Sequence, residues 1–277
     1  MLRLSLLSAF AAILVSFVQP AAAMDIVELY QSKTIVTGQG EKNRKFGFRD
    51  CLDRVLVRVS GDSRLPDLTP MAALRDRAGD FVDSFSYRDR LAGKPIHDEQ
   101  GTYDRPHDLT CWYRPDIIDP LLAQLGSRPW LGDRPKLTIL LDVDRGATAY
   151  DVARDSDRDL AMRQAFDQAA EPLAFSVDFP TTAQVGDLLA GSKHSRLGDL
   201  EPQDIPPTMS TPVFGHLVWS DKGLGWVATW RFQPRSEPVQ WTVRGVNFDE
   251  AFRVAVGGVA QILSGNGNPA VSVSAPD

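Results

Sequence analysis

The chain of 277 residues has few of the residues that usually betray chemistry: it contains two cysteines and four histidines. Two cysteines exclude a scaffold of several disulfides and leave room for one. No stretch carries a strong catalytic signature, and no cofactor or metal is called for. There is no excess of positive charge either. With 30 basic and 36 acidic residues the net charge is −6, which argues against nucleic acid and anionic membrane surfaces as partners. Beyond the first 23 residues no apolar run approaches the ~20 residues needed to span a bilayer.

What the chain does have begins at its start. Arg3, the apolar run Leu4 to Val18 and Pro20-Ala21-Ala22-Ala23 form a secretion signal, with Ala21 and Ala23 at the small-residue cleavage positions. The apolar run is short for a membrane anchor, so cleavage after Ala23 is expected, and the absence of a following cysteine gives no sign of a lipid anchor. The expected address is the periplasm. An oxidising compartment permits a Cys51–Cys111 disulfide; two buried free thiols are the other reading.

The most strongly patterned stretch is Phe48 to Gly61. Phe48, Cys51, Leu52, Val55, Leu56 and Val59 recur at helical spacing, with Arg49, Asp50, Asp53, Arg54 and Arg58 on the other side. A core helix of the first half is expected, ended by Gly61 and carrying an Asp50–Arg54 ion pair. A strand precedes it at Tyr30 to Gly38. Thr69 and Pro70 announce a second helix whose buried face runs from Met71 to Phe85. His97 to Tyr103 and His107 to Tyr113 read as a hairpin, and a short helix ends at Gly126 after starting at Pro115 or Pro120.

Residues 128–135, with two prolines and a glycine, read as a linker between domains at 24–127 and 136–264. Leu137 to Val143 has the continuous apolar character of a strand covered on both faces. Helices follow from Ser156 and around Val185 to Leu189, with a strand at Phe175 to Phe179 between them. Gly191 to Pro212 reads as a mobile loop. Val213 to Trp219 and Leu224 to Gln233 form a hairpin, Gln240 to Val246 adds a strand, and Asn247 with Glu250 caps the last helix. Residues 265–277 read as a disordered tail. The fold class is α/β, a mixed α+β chain of two small domains, each a few-stranded sheet covered by helices.

The run Arg-Asp-Cys-Leu-Asp-Arg-Val-Leu-Val-Arg-Val-Ser-Gly-Asp at Arg49 to Asp62, with Tyr87-Arg88-Asp89-Arg90 and Arg128-Pro129-Trp130-Leu131, resembles the uncharacterised exported bacterial family catalogued as domain of unknown function 2066. The resemblance implies an envelope location and two domains and carries no functional residues. More loosely, the element order after Leu137 is similar to the amino-terminal domain of TolB, an analogy of fold alone.

Gly61-Asp62-Ser63 is similar to the nucleophile block of exported esterases, and Asp104-Arg105-Pro106-His107 to their Asp-x-x-His base. The block should follow a buried strand, whereas Phe48 to Ser60 has helical periodicity. The other reading of Gly61 to Ser63 is a helix cap. His97 and His107 fall about 20 Å apart along the expected hairpin and cannot share a metal. His194 and His216 have no evident partner. Of Trp219, Trp226, Trp230 and Trp241, the second and third share core parity, which leaves Trp219 beside the turn as the interface candidate. The expectation is a non-enzymatic periplasmic accessory that binds an envelope protein or glycan. The rival is a small exported serine hydrolase using Ser63, Asp104 and His107.

Overall fold

The computed structural model describes residues 26–93, 105–234 and 237–269; the leader, the expected hairpin arm from His97 to Tyr103, and Asp104 lie outside the described residues. The architecture is mixed α/β. In the first half, α1 (Ile26–Leu29), β1 (Gln31–Thr37), α2 (Glu41–Ser60), α3 (Met71–Asp76), β2 (Ser84–Asp89), β3 (Pro106–Trp112) and α4 (Pro115–Gln124) follow in order. They build an antiparallel sheet ordered β1-β3-β2 with α2 across one face.

The helical stripe does what its spacing demands: Cys51, Leu52, Val55, Leu56 and Val59 are buried, with Leu109, Cys111 and Ile118 in the same cluster. Gly47, one turn before Cys51, is the point of closest approach. A Cβ there would lie 2.5 Å from Leu109 Cδ2 and 2.6 Å from Val36 Cγ1, so glycine lets the helix settle onto the sheet. Asp50 accepts a hydrogen bond from Thr34 Oγ1 at 3.2 Å instead of pairing with Arg54.

Two expectations are corrected here, and a helix start left open is decided. The second helix stops at Asp76 instead of reaching Phe85, because Gly79 weakens its continuation and the alternation in Ser84–Asp89 commits that stretch to the sheet. Phe85 is then 42% exposed, edge-on to Phe48 at 5.3 Å. The strand at His107 pairs with β2 and β1. The short helix starts at Pro115, a first-turn position where its missing N–H costs nothing, and tolerates Pro120 inside.

In the second half, β4 (Leu137–Arg145), β5 (Thr148–Asp151), α5 (Leu160–Ala170), β6 (Val177–Asp178), α6 (Thr182–Gly191), β7 (Pro212–Ser220), β8 (Gly225–Phe232), β9 (Val239–Val246) and α7 (Phe248–Ser264) follow. Five strands run in the order β5-β4-β7-β8-β9, and β6 pairs with β4. Leu137, Ile139, Leu141 and Val143 face α5 and α7, in a core that includes Phe166, Trp230, Trp241 and Phe252. Leu140 and Phe214 face the other way, toward Leu188, Leu197 and Leu200. The stretch 191–212, expected to be a mobile loop, therefore packs on the sheet with two buried leucines. No helix among the described residues is long and apolar enough to cross a membrane.

The two cores meet at the end of α2. A helix leaves its last four carbonyls without helical partners. Here Val57 O accepts from Gly61 N, Arg58 O from Arg134 at 3.0 Å, Val59 O from Trp130 N at 2.8 Å, and Ser60 O from Asn266 Nδ2 at 2.7 Å. The residues read as linker and tail thus cap the organising helix. Arg134 lies over the Trp130 ring at 3.5 Å, and burial pushes its guanidinium down to about 10.

Candidate functional site

Ser63 follows α2 directly, in a turn where Asp62 takes two hydrogen bonds from the Arg64 side chain. Burial alone would raise the Asp62 carboxyl, but the Arg64 bonds hold it below its ordinary range. His107 sits at the far end of the helix: its Nε2 is 3.1 Å from Gln39, just before α2, and its Nδ1 is 2.7 Å from Arg105 O. A helix of 20 residues is about 30 Å long, so Ser63 and His107 are not brought together. Phe48 to Ser60 is a packed helix, as its periodicity requires.

Cys51 and Cys111 are neighbouring buried free thiols, close but not at disulfide distance, which is the second of the two readings. A disulfide needs Cα atoms ~4.4–6.8 Å apart, and a helix lying on a sheet holds its backbone a side-chain layer away. Hydrogen bonding to Cys51 and burial push the Cys111 thiol up. Trp219 is half-buried, edge-on to Trp226 at 5.3 Å, with Nε1 donating to Asp221 at 2.9 Å. Trp226 and Trp230 are core residues, as their parity indicates, and Trp241 joins them.

A different cluster assembles on the face of the second sheet opposite α5 and α7. Asp142 on β4 and His216 on β7 are register partners in a parallel pair, so their side chains emerge side by side. Asp142 is 1% exposed. Its Oδ2 is 2.8 Å from His216 Nδ1 and accepts from Gly198 N at 3.0 Å, while Arg196 Nε faces Oδ1 at 3.1 Å. His216 Nε2 is 3.3 Å from Asp199 Oδ1, and Arg196 also reaches Asp144 at 3.5 Å. A neutral imidazole has one N–H, so two carboxylates call for the doubly protonated ring. The bond to Asp142 indeed raises the His216 pKa, against desolvation.

Glycine is what admits the segment to this site: a Cβ on Gly198 would meet His216 at 2.6 Å and Asp142 Oδ2 at 2.7 Å. Asp151 on β5 adds a further tie by accepting from Leu197 N at 3.0 Å, and burial raises its carboxyl against that bond. Arg231 on β8 donates to Gly198 O and Leu200 O and lies over Phe214 at 4.4 Å. Residues 196–200 are therefore fastened to four strands. Beyond them, α6 and residues 203–209 enclose a groove of about 430 Å³ lined by Leu188, Ile205, Pro206 and Met209, with Gln184 and Asp187 at its rim.

His216, read as partnerless, has two partners. The missed signal was Asp142 itself, a charge inside an otherwise apolar strand that needs a buried counter-charge. Among the described residues no group of acidic, histidine or cysteine side chains is arranged to hold a metal ion. No curated protein and no solved structure matches the chain. Residues 23–131, the first half up to the cap of α2, match the family model described as Domain of unknown function (DUF8605).

Proposed function

We propose that this is an exported, periplasmic protein of the cell envelope that has no enzymatic activity and serves as an interaction or assembly accessory. The likenesses to domain of unknown function 2066 and to the TolB amino-terminal domain belong to the same reading. The observation that supports it is that His216, in the Asp142 cluster, has a carboxylate at each ring nitrogen. A general base needs a lone pair open to its substrate, and both ring nitrogens of His216 are occupied by carboxylates. The charges hold residues 196–200 in place, and through them one wall of an apolar groove. A photo-crosslinking residue at Ile205, in cells expressing the full chain, should give an adduct with one envelope protein, identified by mass spectrometry, and Leu188→Asp should remove it. Absence of any adduct, or hydrolysis of short-chain aryl esters that Ser63→Ala abolishes, would overturn the reading.

A further inference from the structure

We propose that the outer edge of β1 takes up an extended, acidic segment of a partner protein as an added strand. In the pairing of β1 with β3, Gly38 N bonds to Arg105 O and Tyr113 N to Tyr30 O. Alternation then assigns Ser32, Thr34 and Val36 to the ladder and turns the N–H and C=O groups of Gln31, Lys33 and Ile35 outward. No described strand pairs with that edge. Unpaired edge groups are a template for another chain, and many recognition domains bind extended peptides in this way.

The edge borders a cleft of about 330 Å³. Its strand side is Gln31 to Lys33, its helix side is Arg54 and Arg58 of α2, and Glu28 and Glu171 close it. Arg58 is committed: it donates to Glu28 O at 3.2 Å and Glu171 O at 2.9 Å. Arg54 is exposed and has no hydrogen bond or ion pair among the described residues. Side chains of an added strand alternate between faces, so every second one would point toward α2 and meet Arg54. An acidic residue there gains a charge-assisted contact. The other face of the added strand would lie beside Ile35, which is 55% exposed, and suits an apolar residue.

A second copy of this chain is the rival occupant, and charge disfavours it: an antiparallel β1–β1 pair would set Lys33 and Arg54 of each copy against their equivalents. The open edges of the second sheet offer less. β9 is interrupted by an irregularity opposite Trp226 and Val227, and β5 has only 4 residues. The β1 edge is separate from the α6 groove, and the proposal holds whether or not that groove binds.

The test uses the full chain and a labelled, end-capped heptapeptide of alternating glutamate and valine, matched to a strand of 7 residues. Fluorescence anisotropy should show saturable binding, at least tenfold weaker when lysine replaces glutamate. Hydrogen exchange should slow at the amides of Gln31, Lys33 and Ile35. Ile35→Pro removes one outward N–H and leaves the β1–β3 ladder intact, and it should abolish binding. Arg54→Glu, at an exposed helical position with little risk to folding, should weaken it at least tenfold. The proposal is overturned if the parent binds no peptide, if both variants bind as the parent does, or if sedimentation shows a β1-mediated dimer that Ile35→Pro dissolves. The groove reading would survive such a failure, since its own test is the adduct at Ile205.

Discussion

The two sheets treat their second faces differently, and a buried aspartate marks each. On the first sheet Asp108 is covered by cations alone: Arg88 at 2.5 Å, Arg90 at 3.5 Å and Lys33 at 3.8 Å, each itself 46–74% exposed. On the second sheet Asp142 is covered by a distant piece of chain that must fold onto it, bringing Arg196 and the Gly198 N–H. One aspartate organises solvated side chains; the other organises backbone. Depth of burial alone would rank them together at 6% and 1% exposed, yet what covers each should make the consequences of losing them unequal.

The largest effect should come from Asp142→Ala. It leaves His216 and Arg196 without their shared carboxylate, and breaking a buried pair typically costs about 3–5 kcal/mol. Denaturant titration should show that loss, and hydrogen exchange should rise across residues 191–212 but not across α2. A change confined to a few tenths of a kcal/mol would mean that the segment is held by Leu197 and Leu200 instead. Next is Gly198→Ala, whose methyl would enter the space of His216 and Asp142. Overpacking of this kind costs about 1–3 kcal/mol, and the groove beside α6 should widen with it.

A smaller and more diagnostic effect is the dependence on pH. The His216 pKa is raised in the folded chain, so its contribution is complete below the unfolded value near ~6.5 and declines as pH rises through the folded value. Asp108 is lowered, chiefly by the Arg88 bond, so its contribution is present above ~3.9 and is lost as pH falls through the folded value. Stability curves of His216→Gln and Asp108→Asn should therefore depart from the parent in different pH ranges. The smallest effect is Asp108→Asn near neutral pH, under ~1 kcal/mol because its partners are solvated. A loss as large as that of Asp142→Ala would erase the distinction between the two faces.

Much of this was legible from the residues. The stripe of α2, its stop at Gly61, the apolar run of β4 and the Asn247 cap, whose Oδ1 accepts from Glu250 N at 2.8 Å, follow from local spacing. Ser84–Asp89 was misread because Phe81, Val82 and Phe85 fit a helical stripe as well as a strand, and only pairing with β3 decides between them. The Asp142 cluster depends on the register of two parallel strands and on a contact 56 residues away in sequence, which no local period encodes. Residues 128–135 have the composition of a linker, and composition does not reveal that Trp130 N and Arg134 complete a helix end. Whether fragments 24–127 and 136–264 fold separately is a direct question about that junction. Each has its own core, and each should give a cooperative melt, with the first lowered by the loss of three carbonyl partners.

The bond from Asn266 to the Ser60 carbonyl joins residues 206 apart in sequence, and that number is also an interval of time. At synthesis rates of roughly 5–20 residues per second, roughly 10–40 s separate the emergence of the helix end from that of its partner. The first half must exist through that interval with its organising helix unfinished at one end. The Ser60 carbonyl thus gains its partner only after the whole second sheet has emerged, whereas Val57, Arg58 and Val59 can gain theirs much earlier.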